Sequence, residues 1–104
     1  MSDIPKAREY TQQEVRNNFV SHVRAIVDYW SRQPGKPRDL ISGCAFSILV
    51  ALDGGSAELP AFRVIPCPHP DDESYCRSQS ENWYPNDGCD IAGCLHEYLY
   101  RDWR

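Results

Sequence analysis

The residue types best suited to chemistry are concentrated in one short stretch of the sequence, CPHPDDESYC, from Cys67 to Cys76. It holds two cysteines, one histidine and three carboxylates, and the histidine is flanked by prolines. Thiolate, imidazole and carboxylate groups bind zinc, and histidine and carboxylates also serve as general bases in hydrolysis. Three alternatives follow for this stretch: a metal site, part of a hydrolase active site, or a turn with an acidic surface.

The five residues HPDDE, from His69 to Glu73, follow a segment that we predict to be a β-strand. In this they resemble the motif of zinc-dependent deacetylases that remove N-acetyl groups from glucosamine-type substrates. The resemblance implies that His69 and Asp72 bind zinc and that Asp71 is the base that activates a zinc-bound water. The deacetylases place this motif near the start of a much longer Rossmann-like domain, whereas here the resemblance covers five residues. The sequence after Glu73 contains one further histidine, His96.

A metal site without hydrolytic activity is a second alternative, because several soft ligands lie in this half of the sequence. The candidate ligands are His69, Asp72, Cys76 and His96, and zinc is the metal that they suit. The cysteine spacings do not give the paired C-x2-C arrangement of common structural zinc sites. The residues that start at His96, HEYLY, lack the second histidine of the H-E-x-x-H metalloprotease pattern. We expect no cofactor, with zinc as the alternative.

The distribution of charge favours a third function for this region, recognition of a basic protein. The formal net charge of the 104-residue chain is −4, and residues 67–90 contain six carboxylates against one arginine. Such a surface repels nucleic acid, so we expect no DNA or RNA partner. Rigid aromatic side chains beside acidic groups can form an interface hot spot. We predict a partner-binding surface made of Asp71, Asp72, Glu73, Glu81, Trp83 and Tyr84.

Two helices are predicted before this region. YTQQEV contains a capping box, with Thr11 as the N-cap and Glu14 three residues later, so the first helix should begin at Gln12. Its apolar residues recur at three- and four-residue steps as far as Trp30, and the Pro-Gly pair at Pro34 ends it. The apolar face predicted for this helix comprises Val15, Phe19, Val23, Ile26, Val27 and Trp30.

The second predicted helix is more apolar and should be central. Pro37 suits its first turn, and Asp53, Gly54 and Gly55 stop it, because glycine tolerates the left-handed backbone of a helix C-cap. Its small residues should let neighbouring groups approach closely; they are Ser42, Gly43, Ala45, Ser47 and Ala51.

The rest of the sequence predicts a small antiparallel sheet and a last helix. AFRVIPC, residues 61–67, has the β-branched and aromatic composition of a strand, and ENWYP, residues 81–85, is its best partner. Residues 68–80 would then be a long acidic connection. Asp90 is a good N-cap for a C-terminal helix, whose apolar face would comprise Ile91, Cys94, Leu95, Tyr98 and Leu99.

These elements predict a single α+β domain over residues 1–104, with two N-terminal helices, a small sheet that carries the acidic loop, and a C-terminal helix. The N-terminus has no apolar signal region, the longest uncharged run is too short to span a membrane, and an odd number of cysteines argues against a disulfide framework. We therefore expect a cytoplasmic protein with no membrane association and an oligomeric state that the sequence leaves open.

Over its full length the chain resembles a group of small bacterial proteins of uncharacterised function. The matching positions are Asp53, Trp83, Pro85, Asp90, His96 and Glu97, and the resemblance implies a self-contained domain without implying an activity. We predict a non-enzymatic protein-interaction or inhibitor module, for example of the immunity type, that uses the acidic, aromatic loop. The alternative is a metal-binding domain or zinc-dependent hydrolase that uses His69, Asp71 and Asp72.

Overall fold

The computed structural model describes residues 7–86, 88–101 and 103. This part of the chain contains four α-helices and no β-strand, so the predicted α+β class is wrong and the fold is helical. The helices are α1 Gln12–Ser31, α2 Pro37–Leu52, α3 Asp72–Ser78 and α4 Leu95–Tyr98. The chain divides into two compact units, Met1–Cys44 and Ala45–Arg104, with the boundary inside α2. The single domain expected from the sequence stays a prediction.

Helix α1 begins at the predicted residue because the capping box forms. The Thr11 hydroxyl accepts a hydrogen bond from the Glu14 N–H at 3.2 Å, and the Glu14 carboxylate accepts one from the Thr11 N–H at 2.9 Å. Arg8 donates to both oxygens of Glu14, at 2.7 and 3.0 Å. The hydrogen bond from Arg8, followed by that from the Thr11 backbone, lowers the pKa of Glu14 to about 2. The predicted end of the helix is also confirmed, since α1 stops at Ser31.

Close packing in the first unit depends on a helical glycine. A Cβ atom at Gly43 of α2 would lie 2.5 Å from Cη2 of Trp30, the aromatic residue at the end of α1. Only glycine leaves room for the indole ring at that distance, because real Cβ contacts are almost never shorter than 3.0 Å. The expectation that small residues of α2 permit close approach is confirmed at this position.

Helix α2 ends as predicted, in a Schellman motif. The Gly55 N–H donates to the Val50 carbonyl at 2.9 Å and the Gly54 N–H to the Ala51 carbonyl at 3.3 Å. Gly54 has a φ of 89°, in the left-handed region that glycine adopts most readily, and a Cβ there would lie 2.8 Å from Cβ of Ala61. Asp53 is therefore the last residue before a sharp reversal of the chain.

The segments predicted as paired β-strands, residues 61–67 and 81–85, form no strands. The backbone of the first segment bonds elsewhere: the Phe62 N–H donates to the Leu52 carbonyl at 3.0 Å, and the Val64 carbonyl accepts from the Ile91 N–H at 2.9 Å. The Val64 N–H donates to the Asp90 carboxylate at 2.9 Å. Prolines within and beside the segment lack the N–H groups of a ladder, so β-branched composition alone did not make a strand.

The last two helices also differ from prediction. Residues 68–80, expected to be a loop, contain α3. The C-terminal helix does not start after Asp90, because the Asp90 carboxylate accepts from the Ala92 N–H at 3.0 Å in an Asx-turn as well as from Val64. Gly93 then has a φ of 109°, which is not helical, so that α4 begins at Leu95 and has four residues.

Few apolar side chains are buried in the described part of the chain. Ala51 of α2 is the one apolar residue with a core-like exposure of 1%, and α1 buries none of its residues. Of the face predicted for α1, Val15 and Val27 are exposed and the other members are half-buried. None of the described helices is both long enough and apolar enough to cross a membrane.

Candidate functional site

The HPDDE residues form a local turn at the start of α3. The His69 Nδ1 accepts a hydrogen bond from the Asp71 N–H at 3.1 Å, and the Asp72 carboxylate accepts one from the His69 N–H at 3.2 Å. The Asp72 N–H also donates to the His69 carbonyl at 3.0 Å. The side chain of His69 is 69% exposed. In this arrangement the histidine and the second aspartate satisfy backbone groups of their own turn.

The acidic-aromatic segment, residues 71–84, lies on the surface of the second unit. All six side chains predicted to bind a partner are exposed, with Trp83 at 38% and Tyr84 at 77%. Within α3, the Glu73 carboxylate accepts a hydrogen bond from Arg77 Nε at 3.0 Å. The guanidinium carbon of Arg77 lies 4.2 Å from the centre of the Trp83 ring, which is a cation–π contact. Arg77 thus connects the carboxylates of α3 to the aromatic part of the segment.

A second Schellman motif produces the turn between α3 and Trp83. The Glu81 N–H donates to the Cys76 carbonyl at 2.9 Å and the Ser80 N–H to the Arg77 carbonyl at 3.2 Å. Ser80 has a φ of 55°, which is the left-handed conformation. In the Schellman motif at the end of α2, the equivalent position is occupied by Gly54. The chain therefore reverses directly after α3, and this reversal brings Trp83 back beside Arg77.

The four candidate metal ligands are placed in different settings. His69 and Asp72 belong to the turn before α3, Cys76 is half-buried within α3, and His96 contacts Asp53. In residues 7–86, 88–101 and 103, no three His, Cys, Asp or Glu side chains are grouped so that they could share a metal ion. The five cysteines are all free thiols. Zinc binding by these four residues stays a prediction.

Asp53 and His96, which are 43 residues apart in the sequence, form a polar cluster in the second unit. The Asp53 side chain is 1% exposed. Its Oδ1 accepts a hydrogen bond from the Gly93 N–H at 2.7 Å, and its Oδ2 accepts from the His96 N–H at 2.9 Å and contacts His96 Nδ1 at 2.6 Å. The Asp53 carboxylate, which directly follows α2, therefore caps the N-terminus of α4, although the two are far apart in the sequence.

These contacts keep Asp53 ionised although it is buried. Burial by itself raises the pKa of a carboxyl group, because it removes water from the charged form. Here the hydrogen bonds outweigh burial: those from the His96 backbone and ring, followed by those from the Gly93 and Leu95 backbones, lower the pKa of Asp53 from its ordinary value of 3.8 to about 2. At neutral pH the cluster therefore consists of a buried anion and an imidazole held against it.

A row of aromatic rings begins at this histidine. The ring of Phe46, on α2, meets the His96 ring edge to face with centroids 5.6 Å apart, and it lies 5.7 Å from the ring of Tyr100. Tyr100 in turn stacks on Trp103, with centroids 5.8 Å apart and an interplanar angle of 17°. Tyr100 is 50% and Trp103 47% exposed. The histidine thus lies at one end of a row of rings that is open to solvent.

The signal for this cluster in the sequence is indirect. Asp53 and His96 are both among the positions that carry the expected resemblance to small bacterial proteins, a resemblance that stays a prediction, and the sequence does not pair them. Comparison with models of protein families, with curated proteins and with solved structures finds no match to the chain. Functional assignment therefore depends on the geometry of the two surfaces described above.

Proposed function

We propose that this chain is a cytoplasmic protein-interaction module that binds a basic protein through the acidic-aromatic segment, residues 71–84. The observation that carries the proposal is the exposure of four carboxylates and three large aromatic rings, including Tyr75, on one short segment. The turn before α3 and the Schellman motif after it hold both ends of α3 in place. Preorganised side chains lose less conformational entropy on binding, so the segment is suited to recognition.

The contact between Arg77 and Trp83 supports a partner rich in arginine or lysine. It places a guanidinium 4.2 Å from the ring centre while Glu73 holds the same group by a hydrogen bond. Tyr84, at 77% exposure, offers a second ring beside Glu81, and an arginine of the partner can make the same pair of contacts there. An inhibitor of this kind would present its carboxylates to a basic site on its target.

Binding to an arginine-rich peptide, measured by isothermal titration calorimetry, tests the proposal. Neutralisation by the triple substitution Asp71→Asn, Asp72→Asn, Glu73→Gln should weaken binding about tenfold or more, and added salt should weaken binding to the unmodified protein. The matched control removes the same charge elsewhere, by Glu9→Gln, Asp28→Asn and Glu58→Gln. Binding that is insensitive to salt, or that both triple variants weaken equally, contradicts the proposal.

A second pair of variants separates recognition from metal binding. Tyr84→Ala removes an exposed ring and should weaken peptide binding by about 2 kcal/mol if this ring is a hot spot. His69→Ala removes the histidine of the HPDDE turn and should leave peptide binding unchanged. If His69→Ala abolishes binding and Tyr84→Ala does not, the acidic-aromatic segment is not the recognition surface.

A further inference from the structure

The Asp53–His96 cluster lies outside the acidic-aromatic segment, and it combines a buried carboxylate with a histidine. Because the pKa of Asp53 lies near 2, its carboxylate is ionised at neutral pH and can only accept hydrogen bonds. A hydrogen bond at the 2.6 Å contact with His96 therefore needs a proton on Nδ1. When the ring carries this proton alone, the other ring nitrogen, Nε2, has a lone pair.

The position of His96 leaves part of its side chain accessible. The histidine side chain is 28% exposed, and its polar contacts within the described part of the chain are those to Asp53. The ring is fixed on one side by the carboxylate and on another by the edge-to-face contact with Phe46. A partly exposed histidine whose Nδ1 contacts a buried carboxylate has the base-and-orienting-group arrangement of covalent and general-base catalysis.

The rings beside the histidine indicate the class of compound that could react there. Phe46 contacts both His96 and Tyr100, so the exposed faces of Tyr100 and Trp103 begin one ring away from the imidazole. Aromatic rings bind other planar rings by stacking, with centroids about 4.5–7 Å apart. A compound that stacks an aryl group on these rings would place an adjacent carbonyl group near the His96 side chain.

We propose that His96 is a nucleophilic catalytic residue for the hydrolysis of aryl esters, with Asp53 as its positioning residue. Nε2 attacks the ester carbonyl, an N–C bond forms, and the C–O bond breaks so that the phenolate leaves with the electron pair. The Nδ1 proton stays hydrogen-bonded to the Asp53 carboxylate, which stabilises the positive charge on the acylated ring. Water then attacks the acyl group, the carboxylic acid leaves, and the Nε2 lone pair is restored.

Hydrolysis of p-nitrophenyl acetate, followed by release of p-nitrophenolate, tests the proposal. The protein should be roughly tenfold or more faster than N-acetylhistidine amide at the same concentration, because the imidazole is oriented and its positive charge is stabilised. His96→Asn is the decisive variant, because its side-chain amide can still donate to Asp53 from the Nδ1 position but has no group at the Nε2 position. It should lose the rate enhancement, whereas His69→Asn should retain it.

Two further measurements keep the test clear if His96→Asn does not fold. Mass spectrometry after an acid quench should locate an acetyl group on the peptide that contains His96; acetylation confined to cysteine or lysine side chains overturns the proposal. Nitrogen-15 NMR of the unmodified protein should show the His96 ring protonated on Nδ1, and Asp53→Asn should lower the rate and change that signature. A rate equal to that of N-acetylhistidine amide, or unchanged by a folded His96→Asn, also overturns it.

Discussion

Replacement of Asp53 by alanine should be the most destabilising single change in the second unit. It removes the acceptor of the Gly93 and His96 backbone N–H groups and of His96 Nδ1, at distances from 2.6 to 2.9 Å. Hydrogen bonds to a charged group contribute about 1.5–3 kcal/mol each, and Gly93 is exposed enough for water to replace part of the loss. We expect the free energy of unfolding to fall by about 3–5 kcal/mol, as for removal of one member of a buried polar network.

Urea denaturation followed by far-ultraviolet circular dichroism measures this change. A loss of about 3–5 kcal/mol is a large fraction of the roughly 5–15 kcal/mol that stabilises a typical domain. Asp28→Ala, at an exposed position of α1, is the matched control and should stay within about 0.5 kcal/mol of the unmodified protein. If Asp53→Ala lowers the stability by less than about 1 kcal/mol, the carboxylate is not a net stabilising element and the reasoning is refuted.

Three further outcomes are expected from urea denaturation. Gly43→Ala should gain about 1 kcal/mol of helix propensity but lose about 1–3 kcal/mol to overpacking against Trp30. In a Trp30→Leu background the same change should be stabilising. An equal effect in both backgrounds would contradict the close contact between Gly43 and Trp30. Ser80→Gly should stabilise by about 0.5–1 kcal/mol, because glycine adopts the φ of 55° without strain, and a loss of stability would count against the Schellman motif. The folded protein lowers the pKa of Asp53 from 3.8 to about 2, so the contribution of this carboxylate to the free energy of unfolding is present above about pH 5 and is lost as the pH falls towards 2. Asp53→Ala should therefore make the free energy of unfolding less dependent on pH in this range. An unchanged pH dependence would contradict the lowered pKa.

The start of α1 and the end of α2 could be predicted from the sequence because these end signals are local. The capping box at Thr11 and Glu14 and the left-handed glycine at Gly54 each act within about one turn of backbone. The sheet was predicted from residues 61–67, whose composition describes a half-buried surface and says nothing about which backbone groups pair. The hydrogen bonds of Val64 with Asp90 and Ile91 depend on residues far along the sequence.

The candidate surfaces show the same limit. The exposure of the six residues predicted to bind a partner follows from their polarity and from the turn residues around them, so sequence could locate that segment. The hydrogen bond between Asp53 and His96 joins the end of α2 to α4. The sequence around either residue contains no signal for the position of the other, so their contact could not be predicted. The turn at Asp90 was interpreted as a helix N-cap because an aspartate carboxylate accepts backbone N–H groups in both structures.

The distant cap on α4 has a consequence for the order in which the second unit forms. A helix of four residues has no independent stability in water, because helix nucleation is unfavourable and isolated helices need about 12–15 residues. The acceptor for the His96 N–H is a side chain located at the end of α2. The C-terminal residues 93–98 can therefore become ordered only after α2 is complete and its chain reversal has formed. The folding of these residues thus depends on a segment about forty residues earlier in the sequence. Hydrogen exchange at the His96 amide would therefore report on the formation of α2 as much as on the formation of α4.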